Sequence, residues 1–346
     1  MGFFSQLARD IGNDAKVASE RSSSAEFSGW IDTGSYVLNA QVSGTIYGGL
    51  PNNKISALAG AEATGKTYYA LGLARHFQNT HVNAGIYYYD TESATTADMM
   101  VARGIDPERV LISEPLYIQQ FNHMISKTVE AYKKAPERPP LMMILDSLGN
   151  LPSKKEIVDA DEGKDVRDMT RAQVIRGVFR VITTKLAEAG VPMIVTNHTY
   201  AGMGNYPTVE MSGGGGLRYA ASTIVFLSKL KDPYVERDKG TIIRSIIYKS
   251  RVTREKTEVR TRLLFHGGLD RYYGLAELAQ ELGIIEKVAG RLVFPDGSKH
   301  FEKTVNNEPE KYWTPDLLKR VDEYAGKYFR FMGSVNDDEP VSAAAE

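Results

Sequence analysis

Residues 60–67 read Gly60-Ala61-Glu62-Ala63-Thr64-Gly65-Lys66-Thr67, which fits the pattern GxxxxGK[ST]. The flanks suit it: the apolar run Lys54–Ala59 leads in as a strand and Tyr68–His76 leads out as a helix. Glycine-containing backbone between strand and helix can turn its N–H groups inward around a phosphate, and the helix N-terminus adds the positive end of its dipole. In such a loop Lys66 reaches the β- and γ-phosphates and the Thr67 hydroxyl ligates Mg²⁺. Gly60, Glu62, Ala63, Thr64, Gly65, Lys66 and Thr67 are the expected nucleotide contacts. A plain glycine turn is the competing reading, and the Lys-Thr pair at the helix start counts against it.

Outward from this loop, short apolar runs alternate with helical periodicity. Strand-like segments fall at Ile55–Ala59, Ile86–Tyr89, Leu141–Leu145, Met193–Thr196 and Thr223–Leu227, with helices expected over Gly65–Asn79, Ile118–Ala135 and Arg171–Ala189. That alternation predicts an α/β fold with a mainly parallel sheet covered on both faces. Ligands of such sheets gather at the carboxyl ends of the strands. Asp146 ends the Leu141–Leu145 strand and is the expected metal ligand beside Thr67, unless it only caps the next helix. Asp90 and Glu92 follow the Ile86–Tyr89 strand. Either acid can cap the helix starting near Thr96, and the longer Glu92 is preferred as general base. Asn197-His198 ends the next strand, either as a sensor of the γ-phosphate or as an ordinary hydrogen-bonded pair.

Two polar runs, Pro152–Asp168 and Thr199–Gly216, read as loops. The first mixes Lys154, Lys155, Lys164 and Arg167 with six acids and reads as solvated surface; Arg171, Arg176 and Arg180 on the following helix are better placed for phosphate. The second holds Gly202, Gly204 and Gly213-Gly214-Gly215-Gly216, a run that suits either a linker or a segment that orders on a ligand through its backbone N–H groups. Tyr200, Tyr206 and Arg218 add stacking and phosphate contacts there. From Ile246 to Phe265 charged residues and β-formers alternate, predicting two antiparallel edge strands. Between Lys249 and Arg262 stand six cations and two acids, a basic hairpin able to meet nucleic acid, a neighbouring subunit's nucleotide, or only solvent. A helix after Tyr272, a hairpin at Pro295-Asp296-Gly297 and a last helix from Thr314 follow. The polar stretch Ser19–Ser24 links a small helical arm to the body, and residues from Ser334 on read as a disordered acidic tail. With 42 Lys+Arg against 43 Asp+Glu in 346 residues, net charge gives no hint of a polyanion partner. The absence of cysteine excludes a disulfide scaffold and thiolate zinc and suits a reducing cytoplasm; no apolar run approaches membrane-spanning length.

In combination, GAEATGKT, YYDTES, ILDSLGNLPSKKE, DMTRAQ, TNHTY, SGGGG, YKSRVTREK and GGLDRYYGL resemble the RecA-type recombinases, nearest to those of certain tailed phages, from about Thr33 to Gly290. The phosphate loop departs from the usual family pattern at Ala61 and Ala63, where Pro and Ser are common. The resemblance implies a RecA-like P-loop ATPase core over residues 31–270. Around it stand an oligomerisation arm (1–30), a small α+β C-terminal domain (271–333) and the tail (334–346). It implies an ATP- and Mg²⁺-dependent strand-exchange protein that hydrolyses ATP to ADP, or onward to AMP. It would form a helical homo-oligomeric filament on single-stranded DNA, act on homologous duplex DNA, and work with a single-strand-binding protein and a mediator. Its place would be the cytoplasm, that of an infected bacterium if phage-encoded.

Residue by residue, the resemblance puts Glu92 at the water-activating position and His198 where the γ-phosphate is coupled to the second DNA loop. Lys249 and Arg251 fall at the cations that reach the neighbour's ATP, and Phe265 at an aromatic that covers adenine from the adjoining subunit. Lys154, Lys155, Arg171, Tyr200, Gly213, Gly214, Gly215, Gly216 and Arg218 fall in or beside the two DNA-binding loops. The region Phe27–Trp30 falls where family members pack an arm on a neighbour. A hexameric helicase of the same core, or a recombination mediator whose ATP site serves assembly only, are the alternatives.

Overall fold

Alternate residues of the central strands feed two different cores, which is why those strands read as unbroken apolar runs. In the computed structural model, which describes residues 6–7, 9–10, 27–164, 170–201, 209–230 and 240–331, strands β1 (Trp30–Ile31) and β2 (Leu50–Pro51) form a small antiparallel pair. The main sheet contains β3 (Ile55–Gly60), β4 (Gly85–Asp90), β5 (Val110–Ser113), β6 (Leu141–Asp146), β7 (Met193–Ala201), β8 (Val209–Met211), β9 (Thr223–Lys229), β10 (Gly240–Ser250), β11 (Glu258–Leu264) and β12 (Gly268–Leu269). Their order is β12-β11-β10-β9-β3-β7-β6-β4-β5, with β8 paired to β7 beyond the sheet's edge. From β9 to β5 all pairings are parallel; β10, β11 and β12 extend the sheet antiparallel.

Leu58, Ile86, Tyr88, Met142, Ile144 and Ile194 point into one buried cluster, shared with the helices Tyr36–Ser43, Lys66–Thr80, Leu275–Glu281 and Pro315–Phe329. Ile55, Ala57, Ala59, Tyr89, Met143, Leu145, Met193 and Val195 point into the other, against the helices Ile118–Lys134 and Arg171–Ala189. Ile118, Phe121, Ile125 and Val129 line the first of those two helices, and Ile175, Val178, Phe179, Ile182 and Leu186 the second. Each set keeps the three- and four-residue spacing of one helix face. A small sheet of β13 (Glu286–Val288), β14 (Arg291–Val293) and β15 (Lys299–Phe301) precedes the last helix, whose N-cap is Thr314.

The α/β fold, the three long helices and the five expected strands are as read from sequence. Three expectations change. The run Pro152–Asp168 contains the helix Lys154–Asp161, closed by a capping box between Ser153 and Glu156. The run Thr199–Gly216 contains the end of β7, all of β8 and the start of the helix Gly215–Ala220. The basic hairpin is not an edge pair, because β10 lies between β9 and β11, and β12 covers β11. Gly202, Gly204, Tyr206, Arg167, most of the arm and the tail lie outside the described residues.

Candidate nucleotide site

β3 ends at Gly60 and the chain turns through 61–64 into the helix Lys66–Thr80, with Gly65 as its N-cap. Gly65 has φ 84° and Ala63 φ 58°, so the loop curls back over the strand end through left-handed backbone. Gly60 leaves no room for a side chain: a Cβ there would lie 2.5 Å from the Leu227 carbonyl oxygen and 2.7 Å from Thr64 Oγ1. Lys66 is only 7% exposed, and its Nζ donates to the Gly60 and Ala61 carbonyls at 3.2 and 2.9 Å. Burial lowers its pKa, against the opposing pull of Asp146, Glu92 and the exposed Glu62.

Thr67 Oγ1 donates to Asp146 Oδ2 at 2.7 Å. The same oxygen accepts from Tyr88 OH at 2.7 Å, and Oδ1 from Thr196 Oγ1. Sheet register explains this: Tyr88 is paired with Ile144 on one side of β6, and Leu145 with Val195 on the other. Among the described residues no three His, Cys, Asp or Glu converge as a metal cage. A hydroxyl and a carboxylate offer two oxygen donors, a set that fits Mg²⁺ held otherwise by water and phosphate.

Asp90 and Glu92 separate cleanly. Asp90 accepts the backbone N–H groups of Glu92, Ala94 and Thr95 at 3.0, 3.1 and 2.9 Å, so its short carboxylate shapes the turn. Thr96 caps the helix Ala97–Val101. Glu92 instead reaches across to β6 and β7: Oε1 accepts from Ser147 Oγ at 3.2 Å and Asn150 Nδ2 at 2.9 Å, with His198 Nε2 at 3.6 Å. His198 stands opposite Gly60 in the β3–β7 register, and its strand continues into the ribbon with β8, where Tyr200 pairs with Glu210.

Phe265 follows β11, which runs parallel to β3 and ends at the same edge. It therefore lines a cavity of about 260 Å³ together with Ala63, Thr64, Gly65, Tyr68, Ile243 and Leu263 of its own chain. Phe265 thus stands beside the phosphate loop of its own chain. Tyr68, stacked under Arg103 at 4.0 Å, borders the same cavity and had no sequence signal beyond its place after the loop.

Lys249 and Arg251 lie at the opposite edge, since Lys249 pairs with Ile224 near the start of β9. Lys249 Nζ donates to the carbonyls of Arg218, Tyr219 and Ala221 at 2.6, 3.3 and 2.7 Å, closing the end of the helix Gly215–Ala220. Burial and the neighbouring Arg251 lower its pKa. Arg218 lies 5.5 Å from the Tyr248 ring.

The glycine run is packed rather than loose: a Cβ on Gly216 would sit 2.8 Å from the Arg176 backbone nitrogen, and one on Gly214 3.1 Å from Ala172 Cβ. Gly213 and Gly214 also have positive φ. Arg171, expected at DNA, spends its guanidinium on the carbonyls of Leu148, Gly149 and Leu151 at 3.5, 3.0 and 2.8 Å, with Glu156 at 3.5 Å. Lys154 and Lys155 are exposed on their helix. Sequence reasoning missed Tyr88, Thr196, Ser147 and Asn150. The first two look like ordinary strand alternates, and only the register brings them to Asp146.

A parallel sheet whose central strand enters a phosphate loop, beside a hydroxyl–carboxylate pair, defines a P-loop nucleotide-binding protein. Within that class the chain belongs to the RecA family: the RecA N-terminal domain matches residues 3–270. It is similar to the recombination and repair protein of Enterobacteria phage T4, 31% identical over 251 residues, which is 72% of this chain and 63% of that protein. Protein RecA of Wolinella succinogenes is 25% identical over 271 residues, 77% of this chain and 73% of its own. Protein RecA of Deinococcus radiodurans is 24% identical over 270 residues, 77% and 71% of the two chains.

Proposed function

We propose that the chain is an ATP-dependent DNA strand-exchange recombinase that forms helical filaments on single-stranded DNA and pairs it with homologous duplex DNA. The carrying observation is the single edge on which Lys66, the Thr67–Asp146 pair and Glu92 meet, with His198 leading from there into the β7–β8 ribbon. Family membership and the likeness to a recombination and repair protein support the same reading.

Lys66 would leave the loop carbonyls for the β- and γ-phosphates, and the backbone of 60–65 would cradle the β-phosphate. The base would lie in the cavity between Tyr68 and Phe265. Bound Mg²⁺, held by Thr67 and Asp146, would supply charge neutralisation on the transferring phosphate. Glu92 would take the proton of the attacking water. Lys249 and Arg251 would meet the nucleotide of a neighbouring subunit, and His198 would report the γ-phosphate to the ribbon. Hydrolysis would give ADP and phosphate, or go onward to AMP. DNA contacts would come from Lys154, Lys155, Tyr200, Gly213–Gly216 and Arg218, on a core of residues 31–270 followed by a small domain over 271–333. A single-strand-binding protein and a mediator would assist loading, in a cytoplasmic setting. Among the described residues no helix is long and apolar enough to cross a membrane.

The test is ATP hydrolysis with and without single-stranded DNA, with electron microscopy of the same samples. Strong stimulation together with helical filaments is expected. Closed rings with duplex unwinding would favour a helicase, and no stimulated hydrolysis would sink the catalytic reading.

A further inference from the structure

The residues around Glu92 divide its carboxylate into a held oxygen and an unheld one. Oε1 takes Asn150 Nδ2 at 2.9 Å and Ser147 Oγ at 3.2 Å, and His198 Nε2 stands 3.6 Å away. A carboxylate can only accept, so the amide end that faces it must be the NH₂. Oε2 carries no hydrogen bond from a described residue. Asn150 itself is exposed, yet the turn that carries it has no slack. Arg171 grips the turn's Leu148 and Gly149 carbonyls and that of Leu151 just after it. A Cβ on Gly149 would meet the His198 ring at 2.9 Å. A surface side chain is thus placed by a half-buried guanidinium and a neighbouring ring, the arrangement expected of a group whose position matters.

We propose that Asn150 is a positioning residue for ATP hydrolysis: its amide fixes Glu92 through Oε1 so that Oε2 faces the attacking water. This rests on the reading of Glu92 as the base. The water oxygen bonds to the γ-phosphorus as its proton passes to Oε2. The bond from that phosphorus to the bridging oxygen breaks, and its electron pair leaves on ADP. Asn150 touches neither substrate nor water and acts only on the rotamer of Glu92.

The experiment uses the full chain with ATP, Mg²⁺ and single-stranded DNA. Steady-state kcat and KM are measured for Asn150→Ala, Asn150→Asp and Glu92→Gln, alongside titration with a fluorescent ATP analogue and thermal unfolding. Asn150→Ala should lower kcat roughly tenfold while leaving analogue affinity and Tm near the parent values. Asn150→Asp is isosteric but sets a second carboxylate against Oε1, and should lower kcat further. Parental kcat in both Asn150 variants, with Glu92→Gln inactive, overturns the positioning role and leaves the base standing. Parental kcat in Glu92→Gln overturns both. A loss in Asn150→Ala that falls equally on affinity and Tm and is restored by Asn150→Asp makes the residue structural and also overturns the proposal.

Discussion

Asp146 is only 5% exposed, and it stays buried because three hydroxyls, from Thr67, Tyr88 and Thr196, satisfy it. Burial, and next to it the charge of Asp146, push the Tyr88 phenol far above its ordinary pKa, so it remains a donor at any working pH. Tyr88→Phe keeps the ring and removes the donor. It should cost about 2 kcal/mol in urea unfolding with an unchanged slope; an unchanged midpoint would mean that this bond contributes nothing. Of this network only the meeting of Thr67 with Asp146 was legible in the sequence. Tyr88 and Thr196 occupy alternating strand positions that look like any others, and their meeting at one carboxylate depends on which strands pair and in which register. Asp90 and Glu92 were equally ambiguous. The sequence showed two acids at a strand end, and the short side chain closing its own turn is what frees the longer one.

The polar runs were misread at the level of whole elements, for two different reasons. Over 153–156 the capping-box pattern Ser153…Glu156 was present, but the density of charge around it hid a helix start that those two residues specify. Over 213–216 four glycines suggested freedom, whereas at Gly216 the requirement is space. The helix Gly215–Ala220 lies so close on the helix Arg171–Ala189 that a single methyl group would press on the Arg176 backbone. Gly216→Ala should therefore destabilise by about 1–3 kcal/mol. Gly177 makes the contrast: it sits in the interior of the longer helix with nothing within 4 Å of an added Cβ. Gly177→Ala should stabilise by about 0.5–1 kcal/mol, because alanine loses less backbone entropy on folding. Equal shifts of the two urea midpoints in the same direction would mean that packing does not decide the difference.

The broad architecture was legible because apolar strands, three long helices and a phosphate loop each carry a local signature; the placement of Lys249 and Arg251 was not, because it depends on topology. β10 runs antiparallel to β9, so these cations lie beside the entering ends of β9 and β3, whereas Lys66 lies at the leaving end of β3. One chain cannot close both groups on a single nucleotide, and a contact between unlike faces repeats head to tail into a ring or a helix. If Arg251 serves a neighbour's nucleotide, a defect in Lys66 and a defect in Arg251 belong to different halves of one shared site. Lys66→Ala and Arg251→Ala should each abolish most DNA-stimulated hydrolysis alone. Arg251 is the better choice here because Lys249 also closes a helix end within its own chain. In an equimolar mixture, random order along the assembly joins an intact Lys66 to an intact Arg251 at about a quarter of the junctions, so roughly that share of parental activity should return. Activity no greater than the sum of the two separate variants would mean that each site is complete within one chain, and the cross-subunit role of Arg251 would fall with it.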